Sequence, residues 1–212
     1  MEFKAKNYIK DESLPFYKTW SNSELLCWSS LSVAMISILI LMGNQKYLHN
    51  NEIIENVFKN ISYIFLGVLL ISIVMRFGEY EKLNGQLDGE ISLEETGIQI
   101  NEDLYLFSEI RDLDFSYRNK YGSITGKSNG AFLSQGLNNY ISFYHNEKLI
   151  KTYFQLYSTS QYDAIQKDLF YYVINEIFPF EKKNLDFIDK QFHHYTLYKE
   201  FIEKMKREGK LT

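Results

Sequence analysis

Cysteine and proline are nearly absent from this sequence of 212 residues. The single cysteine, Cys27, cannot form a disulfide within the chain, which excludes a small disulfide-stapled fold and fits a cytoplasmic domain. Proline occurs twice, as Pro15 and Pro179. Pro15 excludes one long helix across the N-terminal segment, because proline removes a helix hydrogen bond and clashes with the preceding turn.

A recognisable catalytic set is also missing. The sequence shows no nucleophile, base and acid that a fold would bring together, so we predict a protein that is not an enzyme and uses no cofactor. Asp189 and His193 are four residues apart, and His194 follows them. A metal ion needs a further ligand beside such a pair, and none is evident. We therefore interpret these residues as a solvated helix face and predict no metal site.

Positive charge is scarce in the C-terminal part of the chain. Residues 77–212 contain 16 lysines and arginines against 21 aspartates and glutamates, a net charge of −5. A negative surface repels phosphate-rich partners, so we predict no binding to nucleic acid and no attraction to anionic lipid.

Charge is absent altogether from two stretches near the N-terminus. No charged residue lies between Glu24 and Lys46, or between Lys59 and Arg76. As helices, these stretches of 21 and 16 residues would be about 31 Å and 24 Å long, close to the thickness of a bilayer's hydrocarbon core. The pattern predicts a transmembrane helical hairpin.

A hairpin buried inside a soluble protein is the alternative interpretation. A helix that faces both a core and water has a polar stripe, whereas these runs contain only scattered serines. Small residues let two helices approach closely within a membrane. We therefore predict that Ser30 and Ala34 of the first helix and Gly67 of the second form the packing faces of the spans.

Lysine and arginine near the spans predict the orientation. Four lysines precede the first span, and Arg76 and Lys82 follow the second, whereas the loop carries Lys46 with Lys59 at its edge. Positive residues stay on the cytoplasmic side, so we predict an integral protein of the cytoplasmic membrane with both termini in the cytoplasm. The first apolar run begins too late and is too long for a cleaved signal peptide.

Beyond Gly78 the sequence alternates between apolar and polar residues, with turn signals between the runs. This period-two pattern extends to about residue 158 and predicts an antiparallel meander, with a loop over 121–130. The period then changes to that of helices. Ser160 is placed to cap a helix over 160–178 that Pro179 ends, and heptad-like spacing predicts a last helix over 184–207. That helix either folds back on its own domain or pairs with a second copy.

These patterns divide the chain into four segments. The first segment, the N-terminal tail, combines aromatic residues with lysines, which is typical of the headgroup region. We therefore interpret it as a flanking anchor rather than an interfacial helix. The segments are an N-terminal tail at 1–23, a transmembrane hairpin at 24–76 with spans at about 25–43 and 57–76, a β domain with a closing helix at 83–178, and a C-terminal amphipathic helix at 179–212.

The order of these signals resembles the pleckstrin-homology-like (PH-like) fold, an antiparallel meander closed by one amphipathic helix. The resemblance is carried by the stretches GQLDGEISLEETGIQI, SQGLNNYISFY and KTYFQLYSTSQYDAIQKDL. The whole chain is similar to small bacterial membrane proteins with two N-terminal spans and a cytoplasmic PH-like domain. The resemblance implies a membrane-anchored α+β protein, in which a PH-like antiparallel β-barrel or meander with C-terminal helices follows the transmembrane hairpin.

The loop between the first two predicted strands departs from lipid-binding PH domains, in which this loop is basic. Here the loop, residues 94–97, contains the two acids Glu94 and Glu95 and neither lysine nor arginine. The departure argues against phosphoinositide binding.

The most specific stretch of the C-terminal domain contains Ser134, Gln135, Gly136, Asn138 and Asn139. Asparagine and glycine are common turn formers, so one interpretation is that this stretch simply forms a turn. The other interpretation is the rim of a groove that binds a peptide or a ligand, because loops on a rigid scaffold often carry binding residues.

Two functions are consistent with these patterns. The first is a non-enzymatic binding or scaffolding module that presents a PH-like domain at the cytoplasmic face, where it binds a protein partner or a second copy of itself. The second is an accessory subunit of a membrane transport or envelope complex, which would contact its partners through the spans.

Overall fold

The structure, a computed structural model, describes residues 3–47, 51–127 and 130–211. The chain divides into two units. The helical unit consists of residues 12–84 and 122–135, and the sheet unit consists of residues 3–11, 85–121 and 136–211. The two units are interleaved along the chain, whereas the sequence predicts contiguous segments.

Two long helices form most of the helical unit. Helix α1 spans Asn22–Tyr47 and helix α2 spans Glu52–Met75, followed by a 3-10 turn at Arg76–Gly78. By length and composition, both helices could cross a membrane. Both begin several residues before the predicted spans, because their N-caps lie outside the uncharged runs.

Side chains cap the two helices at their N-termini. At α1, the Ser21 hydroxyl accepts from the Glu24 amide at 3.2 Å and the Glu24 carboxylate accepts from the Ser21 amide at 2.8 Å, a capping box. At α2, Asn51 is the N-cap. The Asn44 side chain also forms two hydrogen bonds with the Asn51 backbone, at 3.0 and 3.1 Å, which join the loop ends of both helices.

A small β-hairpin belongs to the same unit. Strands β6 (Tyr121–Ile124) and β7 (Leu133–Gln135) pair with each other. Strand β6 lies within residues 121–130, where the sequence predicts a loop. Their partner is the segment after α2: the Glu81 carboxylate accepts from the Ser134 hydroxyl at 3.0 Å and pairs with the Lys127 ammonium at 2.9 Å. These contacts hold the hairpin against the chain that leaves α2.

The sheet unit contains one seven-stranded sheet in which all neighbours are antiparallel. The strand order is β4-β3-β2-β1-β9-β8-β5. The strands are β1 (Lys4–Lys10), β2 (Gly85–Glu94), β3 (Gly97–Ile100), β4 (Asp103–Leu106), β5 (Ile110–Ser116), β8 (Asn139–His145) and β9 (Lys148–Gln155).

Strand β1 lies in the predicted N-terminal tail, and the structure corrects that interpretation. Instead of flanking a membrane span, Lys4–Lys10 is the central strand of the sheet and pairs with β2 on one side and β9 on the other. Its start is fixed by side chains: the Asp168 carboxylate accepts from the Phe3 amide at 2.8 Å, and Gln161 donates to the Lys4 carbonyl at 2.8 Å.

The sheet is strongly curved. Strands β4 and β5 are its two edges, yet only the three residues 107–109 connect them. A flat sheet of seven strands would hold its edges about 29 Å apart, whereas the connection spans at most about 14 Å. The edges therefore approach each other at this corner, as in a partly open barrel.

The core of the sheet unit lies between the inner face of the sheet and helix α3 (Thr159–Ile174). Ile165 and Leu169 on α3 are fully buried against sheet residues such as Phe143 and Phe154. The helix is shorter than predicted and begins earlier. Its N-cap is Ser158 rather than Ser160, because Gln161 completes a capping box with Ser158.

The predicted long helix over 184–207 is broken in the structure. Two 3-10 segments, Lys182–Phe187 and Lys190–His194, precede helix α4 (Thr196–Arg207). Of the residues at heptad-like spacing, Ile188, Phe192 and Met205 are buried and Tyr195 is exposed. Asp189 caps the second 3-10 segment by accepting from the Gln191 amide, so the helix is not continuous. Phe201 and Met205 of α4 are buried in the domain's own core, so the helix folds back.

Candidate functional site

The helical unit has an inverted surface: the buried residues of its two long helices are polar, and large apolar side chains are exposed, the reverse of a water-soluble protein. On α1 the buried residues are Ser23, Ser30, Ser37 and Asn44, spaced at intervals of seven, and the one buried residue of α2 is Ser72. The exposed positions are large and apolar. They include Met35, Ile36, Ile38, Leu39 and Met42 on α1, and Ile64, Leu66, Leu70, Ile71 and Val74 on α2.

Most serines of these helices donate their hydroxyls to a backbone carbonyl of their own helix. Ser37 donates to the Val33 carbonyl at 2.9 Å, and Ser72 donates to the Leu69 carbonyl at 2.7 Å. Such bonds remove the need for water. Ser30 differs, since its buried hydroxyl has no hydrogen-bond partner within residues 3–47, 51–127 and 130–211.

The three predicted packing residues have different surroundings. Ser30 is buried in the seam between the helices, and Ala34 is half-buried on the same side of α1. A methyl group added at Gly67 would meet nothing within 4 Å. The buried positions of α1 therefore recur every seven residues, as three serines and Asn44, and a glycine at position 67 is not needed for close approach.

The predicted binding stretch around Ser134 is largely engaged within the chain. Ser134 and Asn139 have no exposed surface, and Gly136 is also buried. Gly136 has a φ of +72°, and a Cβ there would lie 2.5 Å from the Leu156 carbonyl oxygen, so the position requires glycine. Asn138 is the one exposed member of this stretch.

Asn139 organises the chain between β5 and β8. Its amide nitrogen donates to the carbonyls of Asn119 and Gly136 at 2.7 and 2.8 Å, and to that of Phe154 at 3.4 Å. Its side-chain oxygen accepts from the Asn119 amide at 2.9 Å. A fully buried side chain with these bonds supports the turn-forming interpretation of this stretch.

The sheet unit also contains a cleft of about 400 Å³ that sequence patterns do not show. Three segments of the chain build it: the end of β5, helix α3 and the 3-10 segments before α4. Its walls include Tyr117, Tyr162, Leu185 and Ile188. The rings of Tyr117 and Tyr162 lie 5.9 Å apart, and the Tyr117 hydroxyl donates to the Phe187 carbonyl at 2.5 Å.

Four charged side chains line the cleft: Arg118, Asp186, Asp189 and Lys190. None of them forms an ion pair with any residue that the structure describes. Opposite charges thus face one space without pairing with each other.

Asp189 is held in a fixed orientation. Its carboxylate accepts from the Gln191 amide and from the Gln166 side chain, each at 3.0 Å. Gln166 is buried in α3 and in turn accepts from the Gln191 side chain at 2.7 Å. These contacts fix the orientation of the Asp189 carboxylate.

The electrostatics of the cleft act on both tyrosines. Burial raises the pKa of the Tyr162 hydroxyl, the Asp189 charge raises it further, and Arg118 opposes that rise. Burial also raises the pKa of Tyr117, with the same two charged residues contributing in opposite directions. Both tyrosines are therefore neutral at physiological pH and remain hydrogen-bond donors.

His193 lines the same cleft. Its ring stacks on Tyr198 with centroids 4.5 Å apart, and its buried Nε2 atom has no hydrogen-bond partner in the described part of the chain. The sequence places Asp189 and His193 together but assigns them to a solvated helix face. Within the described ranges, no group of three histidine, cysteine, aspartate or glutamate residues could hold a metal ion.

Comparisons with known proteins add no relative. A scan against protein-family models, a search of curated proteins and a search of solved structures each found no match.

Proposed function

We propose that this protein is a non-enzymatic binding module that is anchored in the cytoplasmic membrane by α1 and α2 and presents its sheet unit at the cytoplasmic face. The inverted surface of the helical unit is the observation that carries the proposal. In water, each large apolar side chain exposed on these helices would forgo about 1.5–3 kcal/mol of burial energy. In lipid, apolar groups belong outside and serines belong at the helix–helix contact.

The strand pairing supports a hairpin that crosses the membrane twice. Strand β1 precedes α1 and strand β2 follows α2, and the two strands are hydrogen-bonded neighbours. Both must therefore lie on the same side of any membrane that the chain crosses, which requires an even number of crossings. Two candidate spans meet that requirement.

The strand order supports a PH-like identity for the sheet unit. Strands β1 to β4 form one meander, β5, β8 and β9 form a second, and α3 follows the last strand. In this interpretation the transmembrane hairpin is an insertion between the first two strands of the domain. The fold carries no chemistry by itself, so the role that fits it is binding or scaffolding.

A protein partner or a second copy fits the module better than nucleic acid or a phosphoinositide. The negative balance of residues 77–212 disfavours phosphate-rich partners, and the β2–β3 turn carries Glu94 and Glu95. Anchoring confines the domain to the membrane surface and raises its effective concentration, so a weak contact would suffice.

Cysteine accessibility tests the anchoring. In a Cys27→Ser background, Gln45→Cys places a thiol at the loop end of α1, and Asn138→Cys places one on the exposed surface of the sheet unit. With a membrane-impermeant maleimide, we expect Gln45→Cys to be labelled in intact cells and Asn138→Cys to be labelled only after permeabilisation. Labelling of Asn138→Cys in intact cells would contradict the cytoplasmic placement.

An exchange of the hairpin tests which unit contacts the partner. Residues 25–74 are replaced by an unrelated two-span hairpin of equal length, and crosslinked complexes are compared with those of the natural chain. Complexes that survive the exchange support a binding role for the sheet unit. Complexes that disappear, while the chimera still inserts, favour the accessory subunit that acts through its spans.

A further inference from the structure

The cleft of the sheet unit carries an inference that does not depend on the membrane anchor. Its volume of about 400 Å³ falls in the range of pockets that take small molecules, about 300–1,000 Å³. Its lining pairs aromatic and aliphatic walls with charges of both signs.

The charges of the cleft indicate the ligand's chemistry. Two cations, Arg118 and Lys190, and two carboxylates, Asp186 and Asp189, share the lining without an ion pair among the described residues. A ligand of one sign would meet as many repulsive as attractive charges. A ligand that carries both signs can pair with both.

One carboxylate of the cleft is already held in a fixed orientation. The Asp189 carboxylate accepts from the Gln166 side chain and from the Gln191 amide, each at 3.0 Å. A ligand's ammonium group would therefore meet a carboxylate whose position is set before binding.

We propose that this cleft binds a small zwitterion of amino-acid or dipeptide size, with an ammonium group and a carboxylate on an apolar body. The carboxylate pairs with Arg118. The ammonium group pairs with Asp189. The apolar body packs between Tyr162 and Ile188.

A ligand series tests the proposal on the unaltered full-length chain in detergent micelles. Isothermal titration compares L-phenylalanine and glycyl-L-phenylalanine with N-acetyl-L-phenylalanine, which lacks the ammonium group, and with L-phenylalaninamide, which lacks the carboxylate. We expect both zwitterions to bind and each single-charge analogue to bind about tenfold more weakly, the usual effect of losing one charge-assisted hydrogen bond. Equal affinity across the series, or no binding of either zwitterion at millimolar concentration, would overturn the proposal.

Two variants then assign the charges. Arg118 is exposed, so Arg118→Gln should keep the fold and abolish the preference for L-phenylalanine over its amide. Asp189→Asn should instead abolish the preference over the N-acetyl analogue. The matched control is Arg111→Gln, which removes an exposed arginine that lies outside the cleft. If Arg118→Gln and Arg111→Gln behave alike, the carboxylate does not meet Arg118 and the assignment is wrong.

Discussion

At the scale of single residues, Asn139 shows how one side chain can define a junction. It has no exposed surface, and four hydrogen bonds tie it to three backbone segments of the sheet unit. Asn138 is next to it in the sequence but is exposed. The two residues therefore separate a structural role from a surface role.

Asn139→Ala should destabilise the sheet unit by about 2–4 kcal/mol, because the backbone groups of Asn119 and Gly136 would each lose the hydrogen bonds that this buried side chain makes to them. Asn138→Ala should change stability by less than about 0.5 kcal/mol. Denaturant unfolding of both variants, followed by circular dichroism, measures the difference. Equal, small effects would contradict the structural role and return this stretch to the candidates for binding.

Glu79 is the second informative residue. Its carboxylate accepts from the backbone amides of Asn22 and Ser23, at 2.6 and 3.0 Å. Glu79, which follows the 3-10 turn after α2, therefore caps the start of α1. Burial acts to raise its pKa, but the hydrogen bonds from Ser23, Asn22 and Ser21 outweigh burial and hold the pKa below its ordinary value of 4.5.

Glu79→Gln should therefore destabilise the helical unit by about 1 kcal/mol at neutral pH, as expected for a weakened helix cap. Because the folded-state pKa is lowered, this stabilisation is complete above the ordinary value of 4.5 and is lost as the pH falls through the folded-state pKa. Unfolding of both proteins at neutral pH and at about pH 3 tests the sign, since the difference should shrink in acid. A difference that grows in acid would exclude the ionised cap.

At the scale of elements, the α1–α2 seam is formed mainly by small polar residues of α1. Ser30→Leu should destabilise the hairpin by about 1–3 kcal/mol, because the added volume has no space in the buried seam. Gly67→Leu is the matched control, since its Cβ would meet open space. Ser30→Ala should be neutral or stabilising, as the hydroxyl has no partner in the described ranges. Stability is measured by unfolding in mixed micelles, and equal effects of both leucine variants would exclude this seam.

Strand β1 permits an equally direct comparison. Ala5 is buried in the core, whereas Lys6 is exposed on the other face of the same strand. Ala5→Asp should cost about 3 kcal/mol or more, because an unpaired charge enters the core. Lys6→Asp introduces the same residue and should cost less than about 1 kcal/mol. Thermal unfolding separates the two, and a tolerated Ala5→Asp would return β1 to a flanking tail.

The sequence predicts local elements better than distant contacts. The alternation of β2 to β5, β8 and β9 and the uncharged runs of α1 and α2 are local patterns, and both are visible without a structure. Strand β1 is not predicted from the sequence, because KAKNYIK has few apolar residues and because its first partner strand begins 75 residues further along, at Gly85. The cleft is not predicted either, because Tyr117, Tyr162 and Asp189 are far apart in the sequence and come together only in the folded domain.

At the scale of the whole molecule, the two tryptophans provide a natural depth probe. Trp20 and Trp28 are the only tryptophans in the sequence, and their rings lie 6.4 Å apart, with Phe16 beside Trp20 at 5.4 Å. Aromatic rings favour the membrane interface, and helical side chains lean toward the N-terminus. The cluster should therefore lie at the level where the uncharged run of α1 begins.

Brominated lipids measure that depth in liposomes that contain the full-length chain. We expect bromines near the headgroups to quench the tryptophan fluorescence more strongly than bromines near the acyl-chain ends. Strongest quenching by the deepest bromines would contradict an interfacial cluster. Equal fluorescence in brominated and ordinary lipid would contradict insertion of the helices altogether.

The pairing of β1 with β2 and β9 has a consequence in time. A ribosome that adds about 5–20 residues per second needs several seconds to pass from Lys10 to Gly85, and longer to reach β9 at Lys148. Throughout that interval the first strand has been made but has nothing to pair with. If the helices span the membrane as proposed, they leave the ribosome during this wait, and the direction in which they enter the bilayer is decided before the sheet can form. A chain that inserts in the reverse sense would leave its whole domain to fold on the wrong side, with no local contact to correct it.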